Sequence, residues 1–404
     1  MATVQRRGIV LFKDRVCGRI EERADGSTLF TYADGWNEQI ACILPLTSNI
    51  HPWPYGPHPF FQHMTAEGWL RERQARAGVL DQDDDLGLLL RYGRDCIGAV
   101  SVLADAGSDD APLPASLAAS LMDAETRAIT AGERTVSGVQ KKLLVVADGA
   151  GYRPAGPDGP APFIAKFPGG DLGTIVRNED LTLRLARRLL GQSEVTGAQI
   201  DVVEDHGVAL IVHRFDRTAD GGKLRLEDMA QVLGRPRGKE NEEKYDASYE
   251  EIGDAISKHS AQPKVDLDRC YRLIVVNALL GNCDAHLKNF SLLETAQGLR
   301  LSPAYDLVNT VMYWRAGYQT RFALRIDGDY RQHDRVDKTL LVTLGRNLDL
   351  PDAAIRNTMR DLARRARTVL KDLRDRSHAE SEPGFMTQYA DIVFSAHQRI
   401  FGDD

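Results

Sequence analysis

The sequence predicts a two-lobed α+β chain, with a small β-rich N-terminal subdomain and a mainly helical C-terminal lobe. Three observations carry this. Short apolar runs separated by turn residues fill residues 7–45. A second β-prone stretch, 142–212, is interrupted by one amphipathic segment, Asn178–Leu190. Beyond Tyr330, apolar residues recur at helical spacing over 337–348, 352–374 and 383–401.

Taken in order, Gly8–Phe12 is apolar, Asp14–Arg15 turns the chain and Val16–Ile20 follows. Asp25-Gly26 is a hairpin signal before Leu29–Tyr32. Residues 51–61, HPWPYGPHPFF, hold four prolines and predict a structured loop rather than a helix. The histidines there sit among prolines and aromatics, with no carboxylates to complete a metal site. Residues 62–92 read as mostly helical, and 93–103 as a return to strand. The Ser-, Pro-, Asp- and Ala-rich stretch 105–118 reads as a linker.

Lys142–Ala147 and Phe163–Phe167 read as strands around a Gly/Pro turn, Gly149–Gly159. Asn178–Leu190 ends at Gly191, a helix stop signal. Ile200–Val203 and Val208–Val212 form a hairpin leading into His213–Arg217. From Glu227 onward the chain is expected to turn helical, and Asp268–Leu280 reads as a helix, strongly apolar from Leu273. The expected division is an N-terminal subdomain at 1–105, a linker at 106–132, an N-lobe-like region at 133–226 and a helical lobe at 227–404.

The net charge of −7 leaves no overall basic footprint for direct nucleic-acid binding, although a local patch stays open. Five cysteines without a CxxC pair argue against a disulfide framework and a structural zinc site. A reducing cytoplasm fits that usage. The N-terminus shows no signal-peptide core, and the longest apolar runs are too short to span a bilayer. A soluble chain with no membrane partner is expected.

The sharpest chemical signal is GNCDAHLKNFSLL, residues 281–293, where Asp284 and Asn289 stand five residues apart. Phosphoryl transfer needs a carboxylate to accept the acceptor's hydroxyl proton, and a nearby amide oxygen to hold Mg²⁺ beside the phosphates. Lys288, between them, can neutralise developing phosphoryl charge. On spacing alone, an ordinary polar loop after a buried helix fits equally well. Asp306 follows seventeen residues after Asn289, where a second metal-binding carboxylate would stand. By itself it reads as a turn or N-cap aspartate. With the preceding loop it reads as a metal ligand.

Upstream, Lys166 in FIAKFP lies in a strand among apolar neighbours, where a lysine is costly to bury unless paired. It reads either as a snorkelling edge-strand lysine or as a contact to ATP's α/β-phosphates. Glu179 opens the next predicted helix, either pairing with Lys166 or serving the helix dipole. Val136, Ser137, Gly138, Val139 and Gln140 precede a strand and offer backbone N–H groups for an anion nest, with one glycine only. His213 and Phe215 lie where a hinge would contact adenine, or in a plain solvated turn. His286 reads as a brace for the 284–289 loop, and Cys283 as a bystander.

The motifs GRDCIGAVSV, TVSGVQKKLLV, FIAKFP, RNEDLTLRLARRLLG, HRFDR, LEDMAQVLG, GNCDAHLKNFSLL, LSPAYDL and LRIDGDYR run in order along nearly the whole chain. In this the chain resembles HipA-type serine/threonine kinases, the toxins of bacterial HipBA toxin–antitoxin modules. The resemblance implies a protein-kinase-like fold that binds ATP and Mg²⁺. It implies Asp284 as catalytic, Asn289 and Asp306 as metal ligands, and Lys166 as ATP-binding. It also implies a HipB-like helix-turn-helix antitoxin that links the chain indirectly to operator DNA. The implied target is a bacterial protein, an aminoacyl-tRNA synthetase being the expected class, whose inactivation arrests growth and promotes persistence.

Two departures stand out. The family's regulatory autophosphorylated serine precedes the loop glycine in an S-x-x-G pattern. Here Thr135 holds that place and Ser137 abuts Gly138, so these are the first and second candidates for autophosphorylation. His213 stands where a relative carries glutamate. A small-molecule phosphotransferase and an inactive kinase-like partner of a DNA-binding antitoxin are the competing expectations. Intact Asp284, Asn289, Asp306 and Lys166 weigh against lost catalysis.

Overall fold

The computed structural model describes residues 4–105, 141–149, 151–156, 161–169, 172–238, 242–379 and 384–402. The expected linker and the whole Thr135–Gln140 loop lie outside the described residues. The chain is a mixed helix-and-sheet protein, as expected, and its contacts divide it into two compact units.

The first unit comprises Met1–Pro168 and Asp201–Glu243. It opens with β1 (Val4–Phe12), β2 (Arg15–Arg23), β3 (Thr28–Tyr32), β4 (Ile50–Trp53) and, later, β5 (Val100–Ala104), in sheet order β4-β3-β2-β1-β5. Alternation drives this: Val10 and Phe12 of β1 and Phe30 and Tyr32 of β3 point into one core with Ile20, Phe61, Leu86 and Leu89. The proline-rich stretch is more ordered than expected. It holds the edge strand β4 and a helical turn, α1 (Pro59–Gln62). An edge strand tolerates Pro52 because one side of it needs no ladder donor, and Pro59 at the first helical position loses no bond. Helices α2 (Gly68–Gly78) and α3 (Asp85–Tyr92) follow within the predicted 62–92 segment.

The same unit contains β6 (Lys142–Asp148), β7 (Gly151–Pro154), β8 (Phe163–Lys166) and β10 (Gly207–His213). With β9 (Ala198–Val203) they close into a barrel in the order β10-β8-β6-β7-β9. The Gly/Pro stretch read as one turn therefore contains the strand β7, which pairs Tyr152 with Ala147. Strand β11 (Leu226–Asp228) runs into the short helix α5 (Met229–Val232), whose start is a reciprocal capping box between Asp228 and Gln231.

The second unit comprises Gly169–Ile200 and Lys244–Asp404. It contains α4 (Ile175–Leu190), α6 (Tyr249–His259), α7 (Pro263–Leu280), α8 (Lys338–Asn347), α9 (Asp352–His378) and α10 (Phe385–Phe401). Helix α7 packs against α4, α6, α9 and α10. Leu273 through Leu280 are all buried, and each buried aliphatic side chain stabilises by about 1.5–3 kcal/mol. The expectation that the chain turns helical from Glu227 onward holds only in part, since β11 includes Glu227 and Asp228 and a hairpin interrupts the helices. Strands β12 (Ser291–Thr295) and β13 (Gly298–Leu301) form an antiparallel hairpin, with Leu292 opposite Leu301. Its tip, Ala296-Gln297, is short and the runs are only a few residues long, so no helical period competes.

Candidate active site

Helix α7 stops at Gly281, whose φ of +75° suits glycine. A side chain there would also meet Asn309 Oδ1 at 2.6 Å. The chain then turns sharply. Asn282 N–H returns to the Asn277 carbonyl at 2.9 Å, and the Asp284 N–H donates to Asn282 Oδ1 at 3.2 Å. The Asp284 carbonyl accepts from His286 N–H at 2.9 Å and from Asn289 Nδ2 at 3.4 Å. The two residues predicted from their spacing are thus joined directly. The Asp284 carboxylate is half-buried, and its Oδ1 accepts from the Tyr245 hydroxyl at 3.2 Å. Lys288, Asn289 and His286 are buried. The His286 ring meets Tyr245 edge-on at 5.2 Å.

The hairpin brings the Asp306 segment back to this loop. Ser302 N–H donates to the Ser291 carbonyl at 2.9 Å, closing its base. Beyond it, the Tyr305 hydroxyl donates to the Lys288 carbonyl at 2.7 Å and meets Ser291 Oγ at 2.5 Å. Asp306 follows with φ +57°, a left-handed conformation that aspartate tolerates better than most residues. It is therefore neither a helix cap nor part of a strand.

Several supports were missed in the sequence. Fully buried Tyr249 donates to the Ala285 carbonyl at 3.0 Å, and burial pushes its phenol well up. Thr310 Oγ1 accepts from Cys283 N–H at 2.9 Å, and Ala323 N–H donates to the Cys283 carbonyl at 2.8 Å. Cys283 itself is held by burial near a thiol pKa of about 12, with little thiolate character. It remains a bystander. Glu179 is not a first-turn residue: α4 starts at Ile175, so Glu179 is interior and 1% exposed. The helix-dipole alternative falls with that. The neighbouring Asn178 bonds Asn309 three residues beyond Asp306, at 3.0 and 2.8 Å.

In the first unit, Lys166 lies on β8, between β10 and β6, opposite Leu210 and Lys142. It is 5% exposed, so the edge-strand snorkelling alternative does not hold. His213 is exposed at the end of β10, its ring edge-on to Phe163 at 5.6 Å, and Phe215 is half-buried. The rest of HRFDR is structural. Arg214 and Asp216, both buried, pair at 2.9 Å; Arg217 bonds Asp216 at 2.7 Å and Asp95 at 2.5 Å. Gly98 N–H donates to Asp216 at 2.8 Å. Burial drives the Asp216 carboxyl up, but Arg214 and Arg217 more than offset this and leave it below the usual range. Two motifs more than a hundred residues apart are thereby one buried ion network. LEDMAQVLG likewise has a role: Glu227, fully buried, accepts from Cys42 N–H at 2.8 Å and pairs with Arg225 at 2.6 Å.

No group of three or more His, Cys, Asp or Glu among the described residues can hold a metal. A dedicated protein cage is therefore absent among them. Magnesium does not require one, since it is typically held by one or two carboxylates with water and phosphate oxygens. Asn289 turns its Nδ2 toward the Asp284 carbonyl, which leaves its amide oxygen as the acceptor. An amide oxygen and a carboxylate such as those of Asn289 and Asp306 are the kind of hard oxygen donor that magnesium prefers.

Residues 8–103 match the model of the HipA N-terminal domain, and 134–370 that of the HipA-like C-terminal domain. The chain belongs to the HipA family. A Sinorhizobium fredii protein named "Putative kinase Y4dM" is 30% identical over 379 residues, covering 85% of this chain and 86% of its own. The serine/threonine-protein kinase toxin HipA of Shewanella oneidensis is 27% identical over 289 residues, covering 66% of this chain and 64% of that one. A solved Shewanella HipA chain, from a complex with HipB and operator DNA, has a TM-score of 0.72 at 20% identity, covering 99% of this chain and 98% of that chain. The HipA fold therefore extends through both units. No helix among the described residues is long and apolar enough to cross a membrane.

Proposed function

We propose that this HipA-family kinase is the ATP- and Mg²⁺-dependent serine/threonine protein kinase toxin of a type II toxin–antitoxin module. The observation that carries this is the closed Asp284–Asn289 loop, with the Asp306 segment tied to it through Tyr305 and Lys288. In this reading Asp284 accepts the proton of the acceptor hydroxyl. The acceptor oxygen bonds to the γ-phosphorus while the bond to the β-phosphate oxygen breaks, and ADP leaves. Asn289 and Asp306 hold magnesium, which neutralises phosphate charge when bound. Lys288 steadies the transferring group, and Lys166 holds the α/β-phosphates, with Glu179 as its proposed partner.

The acceptor is proposed to be a bacterial protein of the aminoacyl-tRNA synthetase class, in the cytoplasm. The proposed partner is a HipB-like antitoxin, since the Shewanella relative is solved with HipB on operator DNA. Val136–Gln140 would cradle phosphate, with His213 and Phe215 at the adenine. Phosphate on Thr135 or Ser137 would place charge against ATP's phosphates and switch the enzyme off. The four-part division at 105, 132 and 226 is part of the same proposal.

The deciding experiment is incubation with γ-labelled ATP, magnesium and cell lysate. Label should enter a discrete protein band, and Asp284→Ala should lose roughly 10²–10⁴ in rate. Induction of the wild type should arrest growth and induction of the variant should not. Label appearing only on small molecules, or equal arrest by both forms, rejects the proposal.

A further inference from the structure

None of the proposed site residues comes from LRIDGDYR, residues 324–331. Its local structure nonetheless leads to Asp284. Leu324 and Ile326 are fully buried and anchor it. Asp327 and Gly328 have φ of +51° and +80°, and a type I′ turn requires positive φ at both of its central residues. Ile326 and Asp329 close that turn with two backbone hydrogen bonds, at 2.8 and 3.3 Å. The turn brings Tyr330 back beside Arg325, whose Nη1 donates to the Tyr330 hydroxyl at 3.4 Å. The Arg321 and Arg325 guanidinium groups lie over the Tyr330 ring, at 4.5 and 5.6 Å.

From this turn, bonds run to residues 245–249. The Tyr330 hydroxyl donates to the Tyr245 carbonyl at 3.0 Å, across 85 residues of chain. Arg325 pairs with Asp246 at 2.7 Å. Its N–H donates to the Ala247 carbonyl at 3.0 Å, and its carbonyl accepts from Tyr249 N–H at 3.1 Å. With its backbone tied there, Tyr245 sends its side chain to the catalytic loop. The ring meets His286 edge-on and the hydroxyl donates to Asp284 Oδ1 at 3.2 Å. Immediately before the motif, Ala323 N–H donates to the Cys283 carbonyl at 2.8 Å. One stretch, 323–330, therefore holds both the residue preceding Asp284 and the tyrosine that meets its carboxylate.

Backbone bonds fix where Asp284 stands, but not how its carboxylate is turned. The terminal torsion of aspartate is broad and roughly two-fold, so a partner outside the residue has to set it. A general base must present one oxygen within about 2.6–3.2 Å of the proton's donor atom. An ionised carboxylate has no proton to give, so the tyrosine is the donor in this bond. We propose, on the reading of Asp284 as the base, that Tyr245 is a positioning residue for phosphotransfer and that LRIDGDYR holds it in place. Its hydroxyl fixes Oδ1 and leaves Oδ2 to take the acceptor's proton. Tyr245 keeps its own proton throughout.

The test is a pair of double-mutant cycles on the full chain, read as single-turnover transfer from γ-labelled ATP to the lysate protein that takes up label. Tyr245→Phe should lower the rate roughly tenfold, the scale of one hydrogen bond to a charged group. The KM for ATP and the melting temperature should stay close to wild type. In an Asp284→Ala background the same change should cost nothing further, since a positioning residue acts only through its target. Tyr330→Phe should lower the rate less, and should add nothing to Tyr245→Phe. An unchanged rate in Tyr245→Phe, an effect confined to the KM for ATP, or an undiminished loss in the Asp284→Ala background overturns the proposal. Full additivity of Tyr330→Phe with Tyr245→Phe rejects the role of LRIDGDYR. A wild-type rate in Asp284→Ala alone rejects the base assignment, and the positioning role falls with it.

Discussion

The Asn178 side chain satisfies both backbone groups of Asn309, donating to its carbonyl at 3.0 Å and accepting from its N–H at 2.8 Å. Both residues are fully buried. The pair fastens the helix bearing Glu179 to the segment bearing Asp306, within one unit. Asn178→Leu strands two buried backbone groups, each costing about 1–3 kcal/mol. We expect a loss near 3 kcal/mol in denaturant unfolding, with a smaller loss for Asn178→Asp, which keeps the acceptor. Equal, small losses for both would show that the bonds contribute little.

Asp216 sits between Arg214 and Arg217 with almost no solvent. Removing one partner of a buried ion group leaves uncompensated charge and costs about 3–5 kcal/mol. Asp216→Ala should therefore destabilise the first unit on that scale, read as a lowered melting temperature of the full chain. A loss of only about 0.5 kcal/mol, as for an exposed pair, would contradict the buried network.

Tyr249 places its hydroxyl on the Ala285 carbonyl, next to Asp284. Tyr249→Phe preserves the ring and deletes the bond. The expected cost is about 1–2 kcal/mol. Phosphotransfer should fall with ATP affinity unchanged, because the loop loses a brace and no phosphate contact. A rise in the KM for ATP alone would argue against that assignment.

Acid sensitivity follows from half-buried His58 and buried His333. Burial, aided by His51, pushes His58 down to about 4, and burial also lowers His333. A folded-state pKa below the unfolded value near 6.5 means that the unfolded chain binds more protons between the two. Stability is thus fully present above 6.5 and is lost as pH falls toward 4. Thermal melts from pH 7.5 to 4.5 should show this decline. His58→Gln should shallow it by on the order of 2 kcal/mol. An unchanged slope would mean that His58 titrates normally.

Much of the architecture was legible because it is local. The 3.6-residue period of α9 and α10 and the two-residue alternation of β1 and β3 are written in adjacent positions. Lys166 and Asp284 were legible for a different reason, since a lysine amid apolar residues and a D-x-x-x-x-N spacing are unusual. What stayed hidden depends on distance along the chain. Glu227 meets Cys42, and Asp216 meets Gly98, across separations that leave no periodic trace. The start of α4 was hidden because its N-cap, Thr174, makes no side-chain capping bond, so no signal marked the extra turn before Asn178. That turn moves Glu179 from the first turn of the helix into its interior.

The hairpin between Asn289 and Asp306 also bears on how such chains should be sought and altered. Its base is pinned at Ser291–Ser302, while its tip at Ala296-Gln297 lies at the far end. Residues added in pairs at the tip would lengthen both strands and leave the base in register. A single residue inserted between Asn289 and Ser291 would flip the side chains that follow. Seventeen residues is therefore an accident of loop length, and searches for distant members should let that interval vary. The same tip is the natural place to graft a reporter tag without disturbing Asn289 or Asp306.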